Sequence, residues 1–148
     1  MNRTRRILHP TDFSPASRRA LDKAIELAKQ NKAELLLVHV NSVVAYVTGE
    51  DYTSQALYEK LESTAKREAE SGMSALIKKA QKAKIKVKSL LLKGTPYNQI
   101  ARVAKSRRAD LIIMGTHGRT GFSKFFLGSV AERVIATAHC PVLAVRGR

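Results

Sequence analysis

A chain of 148 residues, 44% hydrophobic and 26% charged, has the length and balance of one soluble domain able to bury its core without a metal or disulfide staple. The 27 Lys and Arg outweigh 12 Asp and Glu by +15, a field that attracts phosphates, polyanions or acidic surfaces. No uncharged apolar stretch is long enough to cross a membrane, and "MNRTRRILHPTDFS" holds only Ile7-Leu8 before a His-Pro, so neither a membrane span nor a signal peptide is expected and the protein reads as cytoplasmic.

In chain order, "RRILHP" is a short apolar strand closed by proline. "TDFSPASRRALDKAIELAKQN" then places Ala20, Leu21, Ala24, Ile25 and Ala28 at helical spacing, with Ser14 as cap and Pro15 in the first turn. "AELLLVHV" is a continuous apolar run of strand length, suited to burial on both faces. After a looser stretch, the chain from Ser54 to about Lys82 carries Tyr58, Leu61, Ala65, Ala69, Met73, Leu76, Ile77 and Ala80 on one helical face, and Gly72 is a candidate bend. In "KIKVKSLLLKG", Ile85, Val87 and, past Ser89, Leu91 alternate with Lys84, Lys86 and Lys88. That is the pattern of an edge strand with a wet face, guarded by lysines.

"TPYNQIARVAKSRRA" opens on a Thr-Pro cap and presents Ile100, Val103 and Ala104. "DLIIMG" is a second continuous apolar strand, "SVAERVIATAHC" a fourth helix with Val130, Val134, Ile135 and Ala138 on one face, and "PVLAV" a fifth strand. The single Cys140 has no disulfide partner within the chain and reads as a small buried hydrophobe. Five strands alternating with four helices predict one doubly wound α/β domain over residues 1–148, Rossmann-like, with a parallel sheet and helices on both faces. In such sheets ligands sit beyond the carboxyl ends of the strands, where the winding reverses.

The stretch after the fourth strand, "GTHGRTGFSKFFLGS", is rich in glycine. Gly115, Gly118 and Gly128 permit close approach of a ligand to backbone N–H groups, Ser129 opens a helix whose first N–H groups lack partners, and Arg119 and Lys124 add positive charge. Phosphate suits all of these features. The spacing is neither a P-loop nor the dinucleotide fingerprint, so on spacing alone a phosphate cradle and a mobile connection both remain open.

The arrangement G-x2-G-x9-G-[S/T], together with "LIIMGTHGRTG", "GSVAERVI", "CPVLAVR" and the opening "ILHPTDFSPAS", resembles the nucleotide-binding branch of the universal stress protein family over essentially the whole length. The resemblance implies a five-stranded parallel sheet of order 3-2-1-4-5, which brings the Thr11-Asp12 turn against the Gly115 loop. It further implies that Asp12 and Val40 hold adenine and ribose, that Gly115, Gly118, Gly128 and Ser129 hold ribose and phosphates, and that Met114, His117 and Val130 adjoin them. ATP with Mg²⁺ is the implied ligand, with AMP or ADP as alternatives, and a homodimer through the last strand the implied assembly. The implied role is regulation or stress response, with no catalytic residue assigned.

Plainer roles stand beside these. Asp12 could brace its own turn or the start of the first helix, and Ser129 with Glu132 has capping-box spacing. His9, His39 and His117 fall near strand ends without zinc-site spacing, so local hydrogen bonds are expected of them. His139-Cys140 reads as the end of the last helix. A slow ATPase or nucleotide-dependent transferase would need a base and a metal-holding carboxylate, for which only Asp12 offers itself. A polyanion or acidic-partner module would use the six lysines from Lys78 to Lys88 and "ARVAKSRR". No aromatic interleaves there, so specific nucleic-acid binding is not expected, while non-specific polyanion affinity at low salt is.

Overall fold

The computed structural model describes residues 3–42, 55–117 and 127–147. Nine elements follow in alternation: β1 (Arg6–Pro10), α1 (Pro15–Asn31), β2 (Glu34–Asn41), α2 (Gln55–Lys82), β3 (Val87–Lys93), α3 (Pro96–Ser106), β4 (Leu111–Gly115), α4 (Ser129–Thr137) and β5 (Val142–Val145). All strand pairs are parallel and the order is β3-β2-β1-β4-β5, so the lysine-bearing strand lies at an edge as its pattern predicts. No described helix is long and apolar enough to cross a membrane.

The continuous apolar runs become the inner strands because they must be apolar on both faces. One face, with Ile7, Leu35, Leu37 and Ile113, packs against α1 and α2 through Ala20, Leu21, Ala24, Ala28, Met73 and Ala80. The other, with Leu8, Leu36, Val38 and Ile112, packs against α3 and α4 through Ile100, Val103, Ala104, Ala131 and Val134. Each fully buried Leu or Ile stabilises the fold by roughly 2 kcal/mol before entropy is charged against it. The alanines of α1, four residues apart, let that helix lie close to the sheet. Arg133 stands 5.0 Å from the Tyr97 ring centre and ties α4 to α3.

The helix starts follow their sequence signals unevenly. Ser14 caps α1 by accepting from the Ser17 N–H at 3.2 Å, with Pro15 behind it. Thr95 occupies the cap of α3 without a side-chain cap bond. Gly72 is not a bend but a clearance: α2 continues through it, and a Cβ there would come within 2.7 Å of the Phe13 ring. Leu91 is 40% exposed, and Leu90 and Leu92 pack inward instead, because the strand turns their face toward the α3 side. Ile135 is likewise exposed, and Ala131 takes the buried place on α4. That helix stops at Thr137, where Ala138 is already extended, so His139 and Cys140 belong to the connection into β5.

Candidate functional site

The chain order reverses between β1 and β4, which run side by side with Ile7 opposite Leu111 and Leu8 opposite Ile112. Beyond their carboxyl ends lie the turn from β1 to α1 and the segment from β4 to α4. The first is built by side chains folding back on the backbone. Thr11 is buried; its N–H donates to Val38 O at 2.8 Å, and its Oγ1 accepts from the Phe13 N–H at 3.0 Å. Asp12 Oδ1 accepts from the Ser14 N–H at 2.9 Å and from Ser17 Oγ at 2.7 Å, so the carboxylate braces both the turn and the first turn of α1.

Phe13, which no sequence signal marked, holds the turn from beneath. Its φ of +64° is one that side chains seldom adopt, and its ring lies 4.6 Å from the His39 ring, over the clearance left by Gly72. His39 Nδ1–H donates to Thr11 O at 2.8 Å, and Val40 follows it at the end of β2, packed against the α3 side of the core. His9 lies wholly buried below. Its Nδ1–H donates to Ile113 O at 2.8 Å, tying β1 to β4, and its Nε2 meets no partner. Burial drives the His9 pKa down to about 4 against the pull of the Ile113 carbonyl and the Asp12 charge, so the ring is neutral at neutral pH. Two of the strand-end histidines thus bond to backbone, and among the described residues no group of three His, Cys, Asp or Glu side chains is placed to hold a metal.

On the β4 side, Met114 is buried in the core facing α3 and α4. A Cβ on Gly115 would lie 3.0 Å from Ala16 C and 3.1 Å from Ala16 O, so this glycine seats the start of α1 against β4. Thr116 is pinned at both backbone groups: its N–H donates to Val145 O at 3.0 Å, and its O accepts from the Gly128 N–H at 2.6 Å. That second bond closes the glycine segment, bringing the start of α4 beside the end of β4. Thr116 Oγ1 bonds His117 Nδ1 at 2.8 Å, while His117 Nε2 is buried without a partner. Gly118 and Arg119 lie outside the described residues.

The start of α4 departs from its expected register. Gly128, not Ser129, is the N-cap, and Ser129 is the first helical residue. Glu132 therefore sits one position too far along for a capping box, and its N–H bonds Gly128 O at 2.9 Å. With no side-chain cap, the N–H groups of Ser129, Val130 and Ala131 open the helix without a described acceptor, and Ser129 is exposed. The Thr11-Asp12 turn, the Gly115–His117 segment and this helix start share one end of the sheet, as the order 3-2-1-4-5 requires.

The universal stress protein family model matches residues 3–146. The chain belongs to the universal stress protein family. It is 38% identical to universal stress protein MJ0531 of Methanocaldococcus jannaschii over 98% of this chain and 84% of that protein. It also resembles universal stress protein MJ0577 of the same organism, at 33% identity over 96% of this chain and 94% of that one. The solved MJ0577 structure superposes with a TM-score of 0.85, covering 98% and 97% of the two chains at 30% identity. Two structures under 25% identical share the fold. One is a universal stress protein in complex with cAMP, with TM-score 0.73, 20% identity and coverage of 99% and 100%. The other is an Arabidopsis thaliana family protein with AMP bound, with TM-score 0.69, 18% identity and coverage of 96% and 91%.

Proposed function

We propose that this universal stress protein binds one adenine nucleotide per chain at the carboxyl ends of β1 and β4, and that it acts as a regulatory, stress-response protein. The observation that carries the reading is the start of α4. A helix capped by glycine presents its first N–H groups and the positive end of its dipole beside a glycine segment, which suits phosphate oxygens. Orphaned His117 Nε2 lies in the same segment, aptly placed in the chain for a ribose hydroxyl or phosphate. The cAMP and AMP complexes of distant family members agree with an adenine ligand.

The residues fit such a group in the following roles. Gly115, Gly128, Ser129 and Val130 offer backbone at the phosphates and ribose, with Gly118 and Arg119 from the glycine segment. Val40 borders the adenine and ribose, Met114 adjoins the glycine segment from within the core, and Thr11 and Asp12 form the opposite wall, Asp12 acting through the turn it braces. ATP is the first-choice ligand, with ADP and AMP as alternatives. Mg²⁺ would enter with the phosphates and neutralise part of their charge. The bound nucleotide then stabilises the two segments it bridges and alters the surface they present.

The same reading includes a homodimer through β5. Ile112 N–H donates to Pro141 O and Thr116 N–H to Val145 O, so by the alternation of a parallel ladder Val142 and Ala144 turn their backbone groups to the open edge. An edge of four small or apolar residues is a pairing surface unless covered.

A thermal-shift panel of ATP, ADP, AMP and cAMP, with GTP as control, tests the ligand class. A ligand at a hundred times its Kd adds about 2.7 kcal/mol to stability. A raised melting midpoint with adenine nucleotides and none with GTP is the expected result. No shift with any adenine nucleotide would reject the reading.

A further inference from the structure

At the end of the molecule opposite the candidate nucleotide site, three helices finish in the same turn. Lys32 after α1, Lys84 after α2 and Arg108 after α3 have φ of +52°, +59° and +54°. The N–H of each donates to the carbonyl three residues back, at Lys29, Gln81 and Lys105. The next N–H, from Ala33, Ile85 and Ala109, reaches the carbonyl five back, at Ala28, Ala80 and Ala104. This double closure is the Schellman turn, whose left-handed position favours glycine. Here all three positions carry a cation, held in a conformation that glycine would adopt with less strain.

Because β2, β3 and β4 are parallel, the three turns lie at one pole, each just ahead of its strand, and Arg5 stands just ahead of β1. The four strands are adjacent, so the cations ahead of them spread over three strand spacings, about 14 Å, close to the roughly 12 Å width of the DNA major groove. The carboxylates of this pole are already engaged. Glu34 pairs with Lys86 and Lys88, and Asp110 accepts the N–H groups of Arg5 and Arg6. Arg5, Lys32, Lys84, Arg107 and Arg108 are exposed and form no ion pair with a described carboxylate.

We infer that this pole binds the sugar-phosphate backbone of a nucleic-acid duplex, without sequence preference. The chemistry of the surface selects the partner. Among the described residues the exposed large apolar side chains are Leu57, Leu61, Leu91, Leu127 and Ile135, none of them in these turns. A protein interface lacks its anchor there, a single strand lacks aromatic stacking, and a bilayer lacks an apolar face to receive. What remains is a row of cations that meets phosphates one by one, the mode that suits a duplex.

The test is the salt dependence of binding to a short mixed-sequence DNA duplex, followed by fluorescence anisotropy, for the parent and for the triple variant Lys32→Gly, Lys84→Gly, Arg108→Gly. Glycine suits the turn, so the variant should melt at or above the parent temperature while losing affinity at least tenfold. Three lost phosphate contacts should reduce the slope of log K against log salt by about 2.7. A control removing equal charge from α2, Lys60→Gln, Lys66→Gln and Arg67→Gln, should leave the slope near that of the parent. An equal loss in the control would assign the binding to net charge and overturn the inference. So would parent binding to poly-glutamate or anionic vesicles but not to the duplex, or competition by ATP at constant ionic strength, which would move the contact to the other pole.

Discussion

His9 carries a consequence that is visible only in three dimensions. The imidazole is neutral because burial lowers its pKa from 6.5 to about 4, so protonation must be driven against the fold. A base whose folded pKa is depressed costs nothing above its unfolded pKa. Its penalty grows as pH falls from 6.5 and levels off below about 4, reaching about 3 kcal/mol from 1.36 kcal/mol per unit. Urea unfolding between pH 7 and pH 4 should show this loss, and His9→Gln should flatten it. Equal acid sensitivity in the variant would place the effect on other groups. The sequence showed His9 and His39 at strand ends and local bonding as their use; it could not show which carbonyl each would meet. Nor could it show that Asp12 spends one oxygen on Ser14 and Ser17, or that Phe13 takes a left-handed backbone, because neither leaves a mark in composition or spacing.

Among the elements, the glycines divide between approach and packing. Gly115 is read from sequence as part of a phosphate loop, yet its missing Cβ leaves room for the backbone of Ala16. Gly115→Ala should therefore destabilise the fold by about 1–3 kcal/mol through overpacking against a backbone that cannot swing aside. Its denaturation midpoint, measured without nucleotide, checks this, and an unchanged midpoint would contradict it. All nine elements were legible because apolar runs and helical periodicity are strong over these lengths, and Ser14-Pro15 announced α1 correctly. The start of α4 was not legible, since Gly-Ser followed by Glu fits a capping box as readily as the glycine cap observed. The end of that helix was overrun for a similar reason: "ATAHC" continues an apolar face in sequence after the backbone has become extended.

For the whole molecule, the strand order became legible through the lysine stripe, which marked β3 as an edge, and through the family resemblance, which ordered the rest. The opposite edge bears on assembly. The parent should sediment as a dimer, and Ala144→Pro, which removes an outward N–H, should sediment as a folded monomer. A dimer that persists in the variant would place the interface elsewhere. The central claim, a nucleotide at the start of α4, is tested most directly by calorimetric titration of ATP with Mg²⁺ into the nucleotide-stripped parent and into Ser129→Asp at physiological salt. A carboxylate in the first helical turn favours the helix by about 0.3–1 kcal/mol but repels phosphate. The account predicts one ATP per chain in the parent and at least tenfold weaker binding in a variant that is no less stable. Equal affinity in the two proteins, or no saturable binding in the parent, would contradict it.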